Sequence, residues 1–214
     1  MKNHFVNKDI GRPGKREMAL KSIRWFSIFS FIVILCMTII PTGTVHALTD
    51  LDMFIEQVKN GQAEELRGIY IPRILAASVV QQPGERNDFV SSWENVVTQF
   101  GMASKVESTG LLAHNYLAGK SFALLEDGQE FYLIYGDGRV ARFMVSEILE
   151  YEALKPASVS STFVDLKDGS TLTHSELFLK VYDRPGDVIL QTCIDKNNNL
   201  SWGRLFIIAE PVLD

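Results

Sequence analysis

The sequence predicts a mainly β domain, an antiparallel sandwich or barrel with one or two short helices, and three observations lead there. Turn dipeptides punctuate the second half of the chain: Asp127-Gly128, Asp137-Gly138 and Asp168-Gly169, followed by the run Asn197-Asn198-Asn199. Between them lie β-rich segments such as "EFYLIY", "RVARFMVSEILEY" and "VILQTCI", and short strands separated by such turns mark antiparallel sheet. In "ARFMVSEIL" one face carries Ala141, Phe143, Val145 and Leu149, whereas the other mixes Arg142, Ser146 and Glu150 with Met144 and Ile148. One side is core and the other is partly wet.

The 214 residues suffice for one domain with a real hydrophobic core plus an appendage, and no internal repeat or second domain is visible. The appendage comes first. A basic lead ending in Lys15, Arg16, Lys21 and Arg24 precedes the apolar run "WFSIFSFIVILCMTII" and then "PTGTVHA". Charged start, apolar middle, and small residues at Val45 and Ala47 are the layout of a secretory signal. The run from Trp25 to Ile40 also comes close to the roughly 20 residues of a membrane anchor, so residues 1–47 read as signal peptide or anchor. Either way the remainder lies outside the cytoplasm.

Residues 48–66, "LTDLDMFIEQVKNGQAEEL", read as a helical stalk or packing helix, with Leu51, Phe54, Ile55 and Val58 at helical spacing. The β domain then runs over 67–214. "RGIYIPRILAASVV" predicts two short strands around a kink at Pro72, since proline cannot donate to a ladder. "DFVSSWENVVTQF" predicts an internal helix with Phe89, Trp93, Val96, Val97 and Phe100 on one side.

Charge excludes one class of function. The first 47 residues carry net +5, so the −5 of the whole chain leaves −10 on the rest. Phosphate neutralisation needs clustered Lys and Arg, and an acidic exported body does not offer them.

Past residue 47 the chain has one cysteine, Cys193, and two histidines, His114 and His174. A single exported cysteine cannot form an internal disulfide, so it is a buried structural thiol, an intermolecular partner or a nucleophile. A nearby His can take the thiol proton or hold the thiolate as an ion pair, and an arginine can steady a developing oxyanion. If "VILQTCI" and "GRLFIIA" are adjacent strands joined by the turn around Asn197 to Asn199, Arg204 falls across from Cys193. His114 stands in "TGLLAHNYLAG". No cofactor and no metal is called for.

These residues resemble a known family. A histidine in a short segment, then much later a strand ending Thr-Cys, then an arginine on the following strand is the pattern of the sortases, cysteine transpeptidases of bacterial cell surfaces. "LQTC" is similar to their TLxTC motif at Leu190, Thr192 and Cys193, with Ile189 replacing the first threonine, and "GRLFIIAEP" resembles the arginine-bearing segment. "YIPRILAASVV" looks like the early strand pair, so the resemblance covers roughly Arg67 to Val212. It implies a closed eight-stranded sortase-like β-barrel with Cys193 as nucleophile, His114 as acid/base partner and Arg204 as the substrate and oxyanion holder. It also implies exported protein substrates with an LPxTG-like C-terminal sorting motif, and an amine acceptor on cell wall or surface protein. "AHN" departs from the family's more common "GH", and the stretch from Lys155 to Asp187, which would select substrate, is idiosyncratic.

Rival patterns fit less well. Papain-like enzymes place Cys before His, L,D-transpeptidases want Ser-x-Gly-Cys, and the caspase-type glycine after Cys is replaced by Ile194-Asp195. "DKNNNLSWG" starts like a calcium loop but has Leu200 at the turn-glycine position and Phe206 at the bidentate glutamate position. His174 reads as a loop or helix-start residue, and Arg139, Arg142 and Arg184 as solvated strand or turn residues. The alternative to a transpeptidase is a barrel of the same fold that only hydrolyses, or that binds without catalysis.

Overall fold

The computed structural model describes residues 49–213 except Glu85 and Val159. The expected signal or anchor lies outside the described residues, and among those described no helix is long and apolar enough to cross a membrane.

Helix α1 (Asp50–Val58) starts at a capping box: the Asp52 N–H donates to the Thr49 hydroxyl while the Asp52 carboxylate accepts from the Thr49 N–H. Its apolar stripe lies on the barrel, Phe54 and Val58 clustering with Ile134. Gly68 makes room for it, because a Cβ there would stand 2.9 Å from the Phe54 ring.

Strands β1 (Leu66–Ile71) and β2 (Leu75–Gln81) pair antiparallel across the Pro72 turn. The rest are β3 (Val96–Phe100), β4 (Thr109–Leu112), β5 (Glu130–Tyr135), β6 (Val140–Ala153), β7 (Phe163–Asp165), β8 (Thr171–Leu172), β9 (Val188–Lys196) and β10 (Asn199–Pro211). Single-turn helices α2 (Gly101–Ser104) and α3 (Gly119–Phe122) and the longer α4 (His174–Tyr182) complete the described elements. In the order β1-β5-β6-β10-β9-β4-β3-β2 the sheet returns to β1, because β10 pairs with both β9 and β6. The result is a closed eight-stranded barrel, with β7 and β8 extending from β6.

Two pairings are parallel, β2 with β3 and β4 with β9. Turn dipeptides report only local hairpins, which are antiparallel, so these longer-range contacts leave no mark in the turn pattern. Residues 88–100 differ more sharply from expectation: no helix forms, and Val96–Phe100 is β3. Asn95 sits in the left-handed region at φ +54, which interrupts a right-handed helix. The β-branched triplet Val96, Val97 and Thr98 prefers extended backbone. Nor do the apolar residues share a face, for Trp93 is 73% exposed while Val97 is 0% exposed.

The barrel interior is filled by Ile69, Ile71, Val97, Leu111, Phe131, Leu190 and Ile207 among others. A second cluster lies outside it, where Leu177, Val181 and Tyr182 of α4 cover Ile189, Phe206, Ile208 and Tyr151. Strand β9 is therefore apolar on both faces, which explains the unbroken "VIL" before the polar stretch. In β6, Ile208 pairs with Glu147 and Ala209 with Val145, leaving Ser146 as an extra residue. This bulge reverses the alternation. Phe143 and Val145 point into the barrel as expected, but Leu149 joins the outer cluster under α4.

Candidate active site

The β9–β10 turn is the element that places Arg204. Asn197 and Asn198 both have positive φ, +54 and +61, between the paired Lys196 and Asn199. This is the two-residue turn that matches strand twist, and asparagine tolerates its left-handed backbone. A regular ladder from that turn would set Trp202 opposite Cys193. Instead β10 bulges between Asn199 and Gly203, and the pairs become Ile194 with Gly203 and Cys193 with Arg204. Trp202 stays on the turn side, its ring under the Lys196 ammonium at 4.1 Å.

On the other edge of β9, β4 runs parallel with Leu112 beside Gln191, and the Ala113 N–H donates to Gln191 O at 3.2 Å. Continuing that offset brings His114 level with Cys193. The order across the sheet is thus Cys193, Arg204, then Tyr151 of β6, with His114 in the segment that leaves β4 on the other side of Cys193. All three predicted residues are half-buried, whereas Thr192, on the opposite face of β9, is buried.

Several contacts secure this row. The Thr192 hydroxyl donates to Ala113 O at 2.9 Å and so straps the cysteine strand to the segment that carries His114. After His114 the chain turns tightly, the N–H groups of Leu117 and Gly119 both donating to His114 O. A side chain at 119 would collide with that carbonyl, with Ala113 O and with the Thr192 hydroxyl. Asn115 Nδ2 donates to Leu200 O at 2.9 Å, tying the histidine loop to the β9–β10 turn. The Tyr116 ring stacks on the His114 imidazole at 5.1 Å and 16°. Arg204 Nη1 donates to Ser201 O and Gly203 O, and among the described residues no carboxylate pairs with this guanidinium. On the cysteine's own face, the Tyr182 hydroxyl of α4 hydrogen-bonds Gln191 Oε1, and burial pushes that phenol far above its ordinary pKa.

An open groove of about 340 Å³ runs beside Cys193, walled by Thr192, Ile194, Leu200 and Leu205 and bearing Glu150, Asp195 and Lys120. Its lining includes Tyr116 but neither His114, which follows the end of β4, nor Arg204, which pairs with Cys193 from β10. The other sequence candidates lie in different surroundings. His174 is the exposed first residue of α4, behind the capping box of Thr173 and Glu176. Arg139 packs on Tyr135, Arg142 lies 3.7 Å from Glu130, and Arg184 pairs with Glu147 at 2.7 Å. Sequence reasoning passed over Asn115, Tyr116 and Gly119. They follow directly after His114 in "AHNYLAG", where an Asn and a Gly already signal a tight turn.

No protein-family model matches the sequence, and no curated protein matches it. Solved structures do resemble it. Its structural neighbours are sortases. Sortase C-1 from Actinomyces oris is similar at TM-score 0.48 and 16% identity, over 78% of this chain and 82% of that one. The lid-mutant of Streptococcus agalactiae Sortase C1 is similar at TM-score 0.45 and 16% identity, over 72% of each chain. Sortase A from Corynebacterium diphtheriae is similar at TM-score 0.46 and 12% identity, over 72% of this chain and 63% of that one.

Proposed function

We propose that the chain is a sortase-type cysteine transpeptidase, acting outside the cytoplasm on exported proteins. The observation that carries this reading is the register of β9, with Arg204 directly across from Cys193 on one side and the His114 segment strapped to Thr192 on the other. A thiol at the groove and, on the neighbouring segments, an imidazole and a guanidinium without a carboxylate partner are the groups that acyl transfer through sulfur requires.

In this reading the Cys193 thiolate attacks a peptide carbonyl, forming the S–C bond while the oxyanion is held by Arg204 N–H groups. His114 gives a proton to the departing amine as the C–N bond breaks, leaving a thioester on Cys193. An incoming amine then attacks the same carbonyl carbon, His114 takes its proton, and the thiolate leaves. One amide is exchanged for another, with no net redox change. The peptide is an LPxTG-like sorting motif, the acceptor is an amine on cell wall or surface protein, and residues 1–47 export or anchor the enzyme.

The test is incubation with an LPxTG-type peptide library and triglycine, followed by mass spectrometry. An adduct on Cys193 and an amine-linked product are expected. Cys193→Ala should abolish the adduct, His114→Ala should cripple its formation and resolution, and Arg204→Lys should also be severe because lysine lacks the planar fork. Adduct with only water-cleaved product at high amine would make the enzyme a hydrolase. No adduct with any peptide would leave the binding-module alternative.

A further inference from the structure

We infer that Tyr116 is the positioning residue that orients the His114 imidazole, in the place where many cysteine and serine acyl-transfer sites use a hydrogen-bonding side chain. The inference rests on the proposed catalytic role of His114. A general base beside a nucleophile needs a third group to fix its ring orientation. Among the described residues, no side chain hydrogen-bonds either nitrogen of the His114 ring, and its recorded ring contact is the Tyr116 stack, centroids 5.1 Å apart and planes 16° apart. That geometry lies in the preferred range for parallel aromatic contact.

The backbone holds both rings in place. His114 O accepts from Leu117 and Gly119 N–H, so positions 114 to 119 form a closed turn, and Asn115, between the two residues in sequence, is tied to Leu200 O. Stacking constrains the plane of the imidazole and leaves both nitrogens free, one for the thiol and the other for solvent or substrate. Tyr116 is 55% exposed, so truncating it costs little fold stability. It also borders two clefts, the groove beside Cys193 and a neighbouring one along Leu75, Glu94 and Asn95. A plain substrate wall is therefore the role the experiment must separate from positioning.

In the full-length chain, Tyr116→Phe keeps the ring, while Tyr116→Ala and Tyr116→Leu remove it. Three readouts apply: the iodoacetamide alkylation rate of Cys193 by peptide mapping, the ring-proton NMR signals of His114 assigned with His114→Asn, and kcat and KM for triglycine transfer. Ala and Leu should each lower kcat and the alkylation rate about tenfold, with KM within about twofold, and should abolish the upfield ring-current displacement of the His114 signals. Phe should restore all three. The inference is overturned if Ala and Leu leave alkylation and the His114 signals unchanged, if they raise KM alone, or if Phe fails to rescue. A ring-current displacement and alkylation rate that depend on the ring, in a chain that transfers no peptide, would keep the positioning and remove the transpeptidase reading.

Discussion

Thr192→Val tests whether the strap between the cysteine strand and the histidine segment carries the stability the geometry assigns to it. Threonine 192 is 4% exposed, and its hydroxyl donates to Ala113 O at 2.9 Å, Ala113 itself being 6% exposed. Valine keeps the shape, so no cavity opens. It removes the donor and leaves a buried carbonyl short of its partner, which costs about 1–3 kcal/mol, offset by less than about 0.8 kcal/mol from the added apolar group. The net expectation is a loss of about 1–2 kcal/mol. For a domain of this size that is a fall in Tm of about 2–8 °C. Urea denaturation followed by circular dichroism, with m unchanged, measures the loss, and Thr192→Ser serves as control because it keeps the hydroxyl. If His114 and Cys193 act together as proposed, cutting the strap should let the His114 segment drift from Cys193 and slow thioester formation more than the stability loss alone explains. A Thr192→Val protein within about 0.5 kcal/mol of wild type, or a Thr192→Ser protein equally destabilised, would refute the reasoning.

Gly119→Ala should be worse for both fold and activity, because its Cβ would lie 2.7 Å from His114 O and 2.8 Å from Ala113 O, backbone atoms that cannot swing aside. A loss of about 1–3 kcal/mol is expected, read by the same denaturation assay, with slower Cys193 acylation. Asp187→Asn should stabilise the protein at neutral pH. Burial, reinforced by the Glu210 carboxylate and opposed by Arg184, raises the Asp187 pKa above its ordinary value. The native state then binds more protons than the unfolded one between the unfolded and folded pKa values, so stability falls as pH rises through that window and stays lower above it. The advantage of Asn should therefore vanish as the pH drops below about 3.9, and urea midpoints across pH 3 to 7 measure it.

The fold was legible where local chemistry decides it. The Asn197-Asn198 pair, the Asp-Gly turns and the Pro72 kink all demand particular backbone dihedrals, and each turn stands where its residues predict. The failures come from tertiary context. Phe89, Trp93 and Val97 have helical spacing, yet only the closing barrel decides that Val97 is wanted inside and Trp93 outside. The capping box Thr173–Glu176 was a sequence signal for α4, and the outer cluster it covers explains why β9 and β10 are apolar on both faces. The bulge at Ser146 has no sequence mark of its own, since apolar residues stand on both faces of β6, Met144 and Ile148 remaining partly exposed, and an alternation that switches sides still buries Leu149.

The candidate site was legible for a different reason. Cys193 and Arg204 were picked out by residue type and by one assumed strand pairing, His114 by its resemblance to the sortase pattern, and the pairing depends on a detail the sequence does not display. Counting back from the Asn197-Asn198 turn puts Trp202 opposite the cysteine. The β10 bulge after Asn199 is what carries Arg204 there. The stretch "NLSWG" holds the means: Gly203 fits where a Cβ would meet Tyr151 O at 2.5 Å, and Trp202 lies under Lys196 at the turn end. Deleting two of the three residues between Asn199 and Gly203 should restore a regular hairpin while keeping Gly203 across from Ile194 and Arg204 across from Cys193. In that register Cys193 keeps its thiol, its strap to Ala113 and the guanidinium across from it. If the proposed role of Arg204 is right, the deletion variant should fold with wild-type β content by circular dichroism and still acylate, whereas a folded variant that fails to acylate would mean that the arginine's place opposite Cys193 is not enough for the chemistry.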